Sequence, residues 1–337
     1  MREMAVGFYQ IVWLKKDSFK PVNSTFQMFF WILIYMVRNI SVVKLLPVSI
    51  LGCLACLVFG SSVAGATITP DTKLRYTQTG NTARIDGCNG LCEARVVIPA
   101  QISIGKTKKL KVTSIARDAF NITALSPGYT AITSVVIPSS VVSIGDSAFS
   151  SNNLTSVDLP AGLTSIGDLA FANNALTQVN IPKKVTHLGD YAFLNNQISQ
   201  LSLPSTITSI NWGAFQNNQL TSLTIPNKVT HIWNLAFSYN HLTSVSFPSG
   251  LTHIENFAFS ENQLTNVTIP KKVNHLGSGV FQNNHNLASV TFLGNAPQVG
   301  SGIFEGTKTG AKLIRSKKLL GFGTNGSLWN GLLVSEK

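Results

Sequence analysis

Leu154–Ala175 reads LTSVDLPAGLTSIGDLAFANNA. The pattern returns as Leu176–Gln197, Ile198–Gln219, Leu220–His241, Leu242–Gln263 and Leu264–His285, with a period of 22 residues each time. A fixed period of this length marks a stacked array. Each unit is too small to bury its own apolar face, so it shares a core with the units on either side. Leu154, Val157, Leu159, Leu163, Ile166, Ala170 and Phe171 are apolar in nearly every copy. Their spacing predicts a short strand over Thr155–Leu159, with Val157 and Leu159 facing inward. Pro160 and its equivalents then end that strand, because proline removes a ladder donor. A second extended piece follows at Leu163–Ile166, and Gly167 opens a turn. Asp168–Phe171 is expected to form one helical or 3₁₀ turn that puts Phe171 inside. The fold class expected is mostly β, a solenoid with short helical turns and a parallel sheet on one face.

An asparagine stands three residues after each repeat phenylalanine, at Asn152, Asn174, Asn196, Asn218, Asn240, Asn262 and Asn284. Asparagine bonds nearby backbone and tolerates tight turns, so stacked copies would satisfy the turn's buried N–H and C=O groups.

The combined pattern L-T-S-V-x-I-P-x-x-V-T-S-I-G-x-x-A-F-x-x-N, clearest at Leu220–His241 and Leu154–Ala175, resembles the BspA-type leucine-rich repeats of bacterial surface and secreted proteins. The resemblance covers about residues 93–306. The flanks are similar too: Lys111-Val112-Thr113-Ser114-Ile115 on entry, and Gly294-Asn295-Ala296-Pro297 with Gly321-Phe322-Gly323 and Trp329-Asn330-Gly331 on exit. It implies a curved leucine-rich-repeat solenoid that binds proteins or surfaces. Members of that family are adhesins or have no known activity, so the resemblance speaks to fold more than to partner.

Outside the array, residues 1–35 read as an over-extended start or a cytoplasmic stretch. Residues 36–66 read as a signal peptide: a basic flank, the apolar run Leu45–Gly60 and the small-residue end Ala64-Gly65-Ala66. The rival is two membrane segments, but Phe26–Val37 is short of the ~20 residues a span needs. Residues 67–111 read as a β-rich N-terminal cap. In it Lys73–Thr77 and Thr82–Asp86 flank a Gly80-Asn81 turn. Cys88 and Cys92 follow, and in an oxidising compartment they would close a small disulfide loop. A metal site is the alternative, although two cysteines alone make half a site. Residues 112–306 form the solenoid, interrupted by an inserted loop at Asn121–Ala131 and slipping by one residue near Asn286. Residues 307–337 form a C-terminal cap. An exported location follows: secreted, periplasmic or cell surface, with the membrane involved only through the export signal.

The formal net charge is +12, yet only 12% of residues are charged. Residues 132–306 hold five Lys and seven acids, so the array itself is slightly acidic. The excess lies in the export segment and in the two ends, in Lys106, Lys108, Lys109 and Lys111 and in Lys312, Arg315, Lys317 and Lys318. Basic ends attract acidic glycans, membranes or nucleic acid. No stacking aromatics are interleaved with these lysines, which argues against nucleic acid.

No catalytic, cofactor-binding or metal site emerges. Gly321-Phe322-Gly323-Thr324-Asn325-Gly326 matches G-x-G-x-x-G by letter but lacks the strand and helix that a dinucleotide site needs, so it reads as cap turns. Two columns break the repeat. His187, His231, His253 and His275 occupy the place of Ser143, Ser165 and Ser209, either as a tolerated polar surface or as a pH- or zinc-sensitive strip. Trp212 and Trp233 lie near the glycine turn of adjacent copies and either pack on the turn or anchor a sugar or partner. The outward positions of the main sheet include Thr177, Gln178, Asn180, Thr221, Ser222, Thr224, Thr243, Ser244 and Ser246. This broad, nearly uncharged face suits a protein or glycan ligand. The function expected is a non-enzymatic exported protein for adhesion or recognition, or else a self-associating envelope protein with no foreign ligand.

Overall fold

The computed structural model describes residues 67–68, 73–121 and 130–337. The start region 1–35, the export segment 36–66 and residues 122–129 of the inserted loop lie outside the described residues. The rest concerns the unit spanning residues 65–337.

Each coil contributes short strands to two lanes of parallel pairing. The first lane holds the V-x-L strands: Arg95–Val97 with Ser134–Val136, Gln178–Asn180 with Gln200–Ser202, and Ser222–Thr224 with Ser244–Ser246. It ends in the run Asn266–Ile269, Ser289–Phe292, Lys312–Arg315 and Leu332–Glu336. The second lane holds the serine and histidine pairs. Lys108–Ile115, Ser143–Ile144, Ser165–Ile166 and His187–Leu188 pair in succession. A new sheet then runs through Ser209–Ile210, His231–Ile232, His253–Ile254, His275–Leu276 and Gln298–Val299. Arg95↔Ser134 and Ser114↔Ser143 are 39 and 29 residues apart across the inserted segments; from Ser143 onward partners are 22 apart until Asn266↔Ser289 and His275↔Gln298, which are 23 apart, as the slip near Asn286 requires.

The expected strand at Thr155–Leu159 is absent from that copy, and Val157 and Leu159 are only half-buried there. Its neighbours explain this. Ser134–Val136 is paired to Arg95–Val97, and Gln178–Asn180 to Gln200–Ser202, so the segment between them has no strand partner.

Phenylalanine rings fill the inside. Phe120, Phe149, Phe171, Phe193, Phe215, Phe237, Phe259, Phe281 and Phe304 form one unbroken stack with centroids 5.1–5.9 Å apart. Stacked pairs contribute about 0.5–1.5 kcal/mol each beyond the area they bury.

No helix occurs among the described residues, but a short turn stands at Asp168–Phe171 as expected: Ala170 N donates to Gly167 O and Ala172 N to Leu169 O, each three residues back. The alternate N–H groups reach the next coil, Leu169 N to Asp190 O at 2.8 Å and Phe171 N to Ala192 O at 2.8 Å. The chain turns by placing two residues per coil in the left-handed region, such as Leu169 (φ 57°) and Asn173 (φ 56°). Every second-position kink repeats the device, through Tyr191, Gly213, Leu235 and Phe257. At Gly213 the absence of a side chain also has a packing reason, because an added Cβ would lie 2.3 Å from the Tyr191 ring.

The asparagine column holds this turn together. Asn218 Nδ2 donates to Phe215 O and Gln216 O in its own coil and to Phe193 O in the preceding one, while its Oδ1 accepts from Ile198 N. Asn152, Asn174, Asn196, Asn240, Asn262 and Asn284 repeat these bonds. Buried polar groups are costly when unpaired, and here each amide is saturated.

A glycine column sets how closely coils approach. A Cβ on Gly145, Gly167 or Gly189 would lie within 2.5 Å of the preceding coil's backbone. The next three members are Asn211, Trp233 and Glu255. The ring stack is 5.1–5.3 Å at the Gly145, Gly167 and Gly189 junctions and 5.5–5.7 Å at those of Asn211, Trp233 and Glu255. The second lane also breaks between His187–Leu188 and Ser209–Ile210, the first coil junction where glycine is lost. Gly277 and Gly300 restore glycine, yet the Phe259–Phe281 and Phe281–Phe304 pairs stay at 5.9 and 5.8 Å, so glycine alone does not set ring spacing.

Both ends are closed. The hairpin Leu74–Thr79 and Thr82–Cys88 caps the first coils, and Cys88 and Cys92 are disulfide-bonded to each other. At the other end the buried Arg315 guanidinium donates to the carbonyls of Ser316, Lys317, Leu319 and Gly323 and to Glu336 Oε1. Phe322 is buried between turns whose glycines, Gly321, Gly323 and Gly326, all have positive φ. Phe322 and Phe292 meet Trp329 edge-on, as expected for cap turns rather than a nucleotide loop.

Candidate functional site

Two surfaces carry the sequence's candidate residues, and they differ in kind. The first is the outward side of the first lane. Thr177, Gln178, Asn180, Thr221, Ser222, Thr224, Thr243, Ser244 and Ser246 are all exposed there. Parallel register puts Ser222 beside Ser244 and Thr224 beside Ser246. Part of its hydroxyl chemistry is already used between coils, since Thr243 Oγ1 donates to Thr221 O and Thr265 Oγ1 to Thr243 O. The lane is in pieces, with Gln178–Asn180 and Gln200–Ser202 in a different sheet from Ser222–Thr224 and Ser244–Ser246.

The second surface is the histidine lane. His187 pairs back to Ser165 and ends its sheet, so it stands apart from the other three. His231, His253 and His275 occupy successive coils in register. Their ring centroids are 4.4 Å apart for His231–His253, stacked within 9°, and 5.6 Å for His253–His275. Thr230 Oγ1 lies 2.9 Å from His231 Nδ1, and Thr252 Oγ1 lies 2.9 Å from His253 Nδ1, so adjacent hydroxyls fix the rings. His275 Nε2 is 3.5 Å from Glu255 Oε2. Partial burial first, then the positive fields of His231 and His275, push the His253 imidazole below its ordinary value; Glu255 opposes them.

Trp233 extends the strip. It is 37% exposed and its ring lies 5.9 Å from His231 at 22°. Trp212 is half-buried and one column over, in line with Asp190 rather than with the glycine position. Its backbone N–H donates to Asp190 Oδ1. The two tryptophans therefore do not form one pair. Among the described residues no three His, Cys, Asp or Glu side chains converge to hold a metal ion.

The strip runs into a cleft of about 590 Å³ that the sequence pattern did not reveal. His253, His275, Lys271, Lys272, Asn274 and Gln298 give it polar chemistry. Val273, Ala296, Pro297 and Leu319 give it an apolar side. The segment bearing Leu319 is fixed, because Arg315 grips the Leu319 carbonyl and Leu320 N donates to Asn295 Oδ1. Lys271 and Lys272 are exposed at the rim. Among the described residues no carboxylate lines the cleft; Glu255 acts on it through His275 and His253. One signal pointed here in the sequence: Glu255 is a charged residue in a column of glycines.

A model of the BspA type leucine-rich repeat region matches the chain in six copies over residues 113–243 and 214–324. Among solved structures, a leucine-rich repeat protein from Bacteroides ovatus is 24% identical, with 72% of this chain and 70% of that one covered and a TM-score of 0.53. A leucine rich cell surface protein from Faecalibacterium prausnitzii is 27% identical over 68% of this chain and 55% of that one, with a TM-score of 0.43. The pneumococcal vaccine antigen PcpA is 19% identical over 74% and 87%, with a TM-score of 0.46. No curated protein matches the chain.

Proposed function

Since the chain belongs to the BspA-type leucine-rich-repeat family, a family of repeat scaffolds for interaction, we propose that it is an exported, non-enzymatic recognition protein whose coils present a protein- or glycan-binding surface. One observation carries this. The Leu, Ile, Phe and Asn columns that fill the core recur from coil to coil, and within the regular coils the threonine, serine, lysine and histidine positions that vary lie on outward columns. Burial of Phe171, Leu163 and Asn218 is explained by packing alone; exposure of Thr221, Ser222 and Thr224 is not. A broad polar face without aromatic or arginine anchors gains affinity from many modest contacts. In this reading residues 36–66 are the export signal, and intact mass of the exported chain tests it: a chain that still contains residue 50 rejects cleavage after Ala66.

Replacing Thr221, Ser222 and Thr224 by lysine tests the face. Binding to a panel of matrix proteins and glycans should be saturable for the wild type and lost in the triple variant, with the melting temperature unchanged. Equal binding by both proteins would rule out the first lane as the contact surface. A second reading, self-association, is favoured by the exposed leucines of the C-terminal cap, Leu320 and Leu328, at 70% and 72% exposure. Sedimentation over a range of concentrations separates the two, because only the second predicts a mass that rises with concentration.

A further inference from the structure

The histidine lane and its cleft differ from the Thr/Ser face in charge, shape and rigidity. Lys271 and Lys272 bring two cations to a cleft that no carboxylate among the described residues lines. Asn274, Asn295 and Gln298 add amide groups that both donate and accept, which suits hydroxyl-rich ligands. Ala296, Pro297 and Leu319 supply a small apolar side such as a sugar ring face covers. From the cleft the imidazoles of His275, His253 and His231 lead coil by coil to the exposed Trp233 ring, a stacking platform for a pyranose. From these features we infer that the cleft and the strip bind an acidic polysaccharide, one whose charge is carried as sulfate or carboxylate.

The spacing favours a sugar chain over an acidic peptide. Coils repeat about every 4.8 Å where strands pair. Same-face side chains of an extended peptide recur at about 6.8 Å, out of step with the coils. A pyranose unit is about as long as one coil is tall, so successive sugars meet successive coils. The inference rests on the binding-scaffold reading but uses a different surface, so the Thr221, Ser222 and Thr224 variant should keep this activity.

The charged and titratable groups facing His253 are His231 and His275 on the flanking coils, Glu255 beyond its own strand, and Lys271 and Lys272 at the cleft rim. Protonating the His253 imidazole, which lies below its ordinary value of 6.5, adds a positive charge beside Lys271 and Lys272. Binding should therefore tighten as the pH falls below about 6.5.

The full chain is passed over immobilised heparin, polygalacturonate and neutral dextran. Salt-reversible retention on the first two and none on dextran is expected, and the balance between them tells sulfate from carboxylate. Lys271→Gln with Lys272→Gln should weaken binding about tenfold. Both side chains are exposed, so the fold is kept, and an unchanged melting temperature verifies it. Lys106→Gln with Lys108→Gln removes equal charge from the other end and should change binding by less than about twofold. His253→Gln with His275→Gln should flatten the pH dependence. Four results would overturn the inference: equal retention on dextran, equal loss in the N-terminal lysine variant, displacement by poly-glutamate as effective as by heparin, or affinity that ignores pH.

Discussion

The coils up to Gly189 and the three that follow are built from one pattern but packed differently. In the first group glycine lets the backbone of each coil touch the next, the rings stack at 5.1–5.3 Å and the second lane is unbroken. In the second group Asn211, Trp233 and Glu255 stand in the glycine column and the rings stand 5.5–5.7 Å apart. The stacked histidines, the exposed tryptophan and the approach to the cleft all lie in that second group. Across these six junctions packing tightness and chemical variety trade against each other, although the later Gly277 and Gly300 coils keep glycine with rings 5.8–5.9 Å apart. Where the coils must touch, only glycine fits; where they relax, a side chain is admitted and can face a ligand.

Phenylalanine deletions give the largest expected effects. Phe171→Ala in the tight group should cost near the top of the usual range of about 3–5 kcal/mol, and Phe237→Ala in the loose group near the bottom, because looser surroundings collapse into the cavity more readily. Urea unfolding of the two variants reads the difference, and equal costs would erase the distinction between the groups. Next is the glycine column itself. Gly189→Ala puts a Cβ 2.3 Å from the Gly167 carbonyl carbon and should cost about 1–3 kcal/mol. Asn211→Ala, one coil later in the same column, should cost less than about 0.5 kcal/mol. If both shift the unfolding midpoint alike, glycine is not what sets coil spacing.

Asn218→Ala leaves Ile198 N without its partner and takes from the Phe193 carbonyl the shorter of its two amide donors, so it should cost about 1–3 kcal/mol, with Asn174→Ala similar, since the asparagine turn is common to both groups. A large gap between these two would mean that the ladder, too, differs along the array. The smallest effect is on pH. Folding holds His253 below its ordinary value of 6.5, so the unfolded chain binds more protons just under that pH. Stability should be flat above 6.5 and fall as the pH drops through and below it. Melting curves of the wild type and of His253→Gln test this, and identical curves in acid would remove the histidine contribution.

Much of the fold was legible because it is periodic. The 22-residue spacing, the buried columns, the asparagine turn, the one-residue slip at Asn286 and the hairpin around Gly80-Asn81 follow from residue type and interval. The turn at Asp168–Phe171 was legible in part: Ala170 N bonds back to Gly167 O, but Leu169 N and Phe171 N bond to Asp190 and Ala192, 21 residues on, and local propensity knows nothing of them. The missing strand at Thr155–Leu159 depended on which neighbours pair, again a non-local matter. The histidines were visible as a column, but the sheet break that isolates His187 was not. The cleft lay furthest from view, since it joins the His253 and Lys271–His275 segments to Gly294–Gln298 and to Leu319 in the cap, and no interval links them.

The asparagine column also has a direction. Asn152 donates back to Phe120, Asn174 to Phe149, Asn196 to Phe171, and so on to Asn284 and Phe259. None donates forward to the coil that follows. A coil added at the C-terminal end finds its acceptor carbonyl waiting, whereas a coil added at the N-terminal end must supply one for an amide already in place. The turn's backbone runs the other way, since Leu169 N donates forward to Asp190 O, so the side-chain ladder alone carries this polarity. A chain emerging N-terminus first would extend that ladder in its favoured sense. Hydrogen exchange on truncated arrays measures that polarity: protection should survive loss of the last coils and fail on loss of the first.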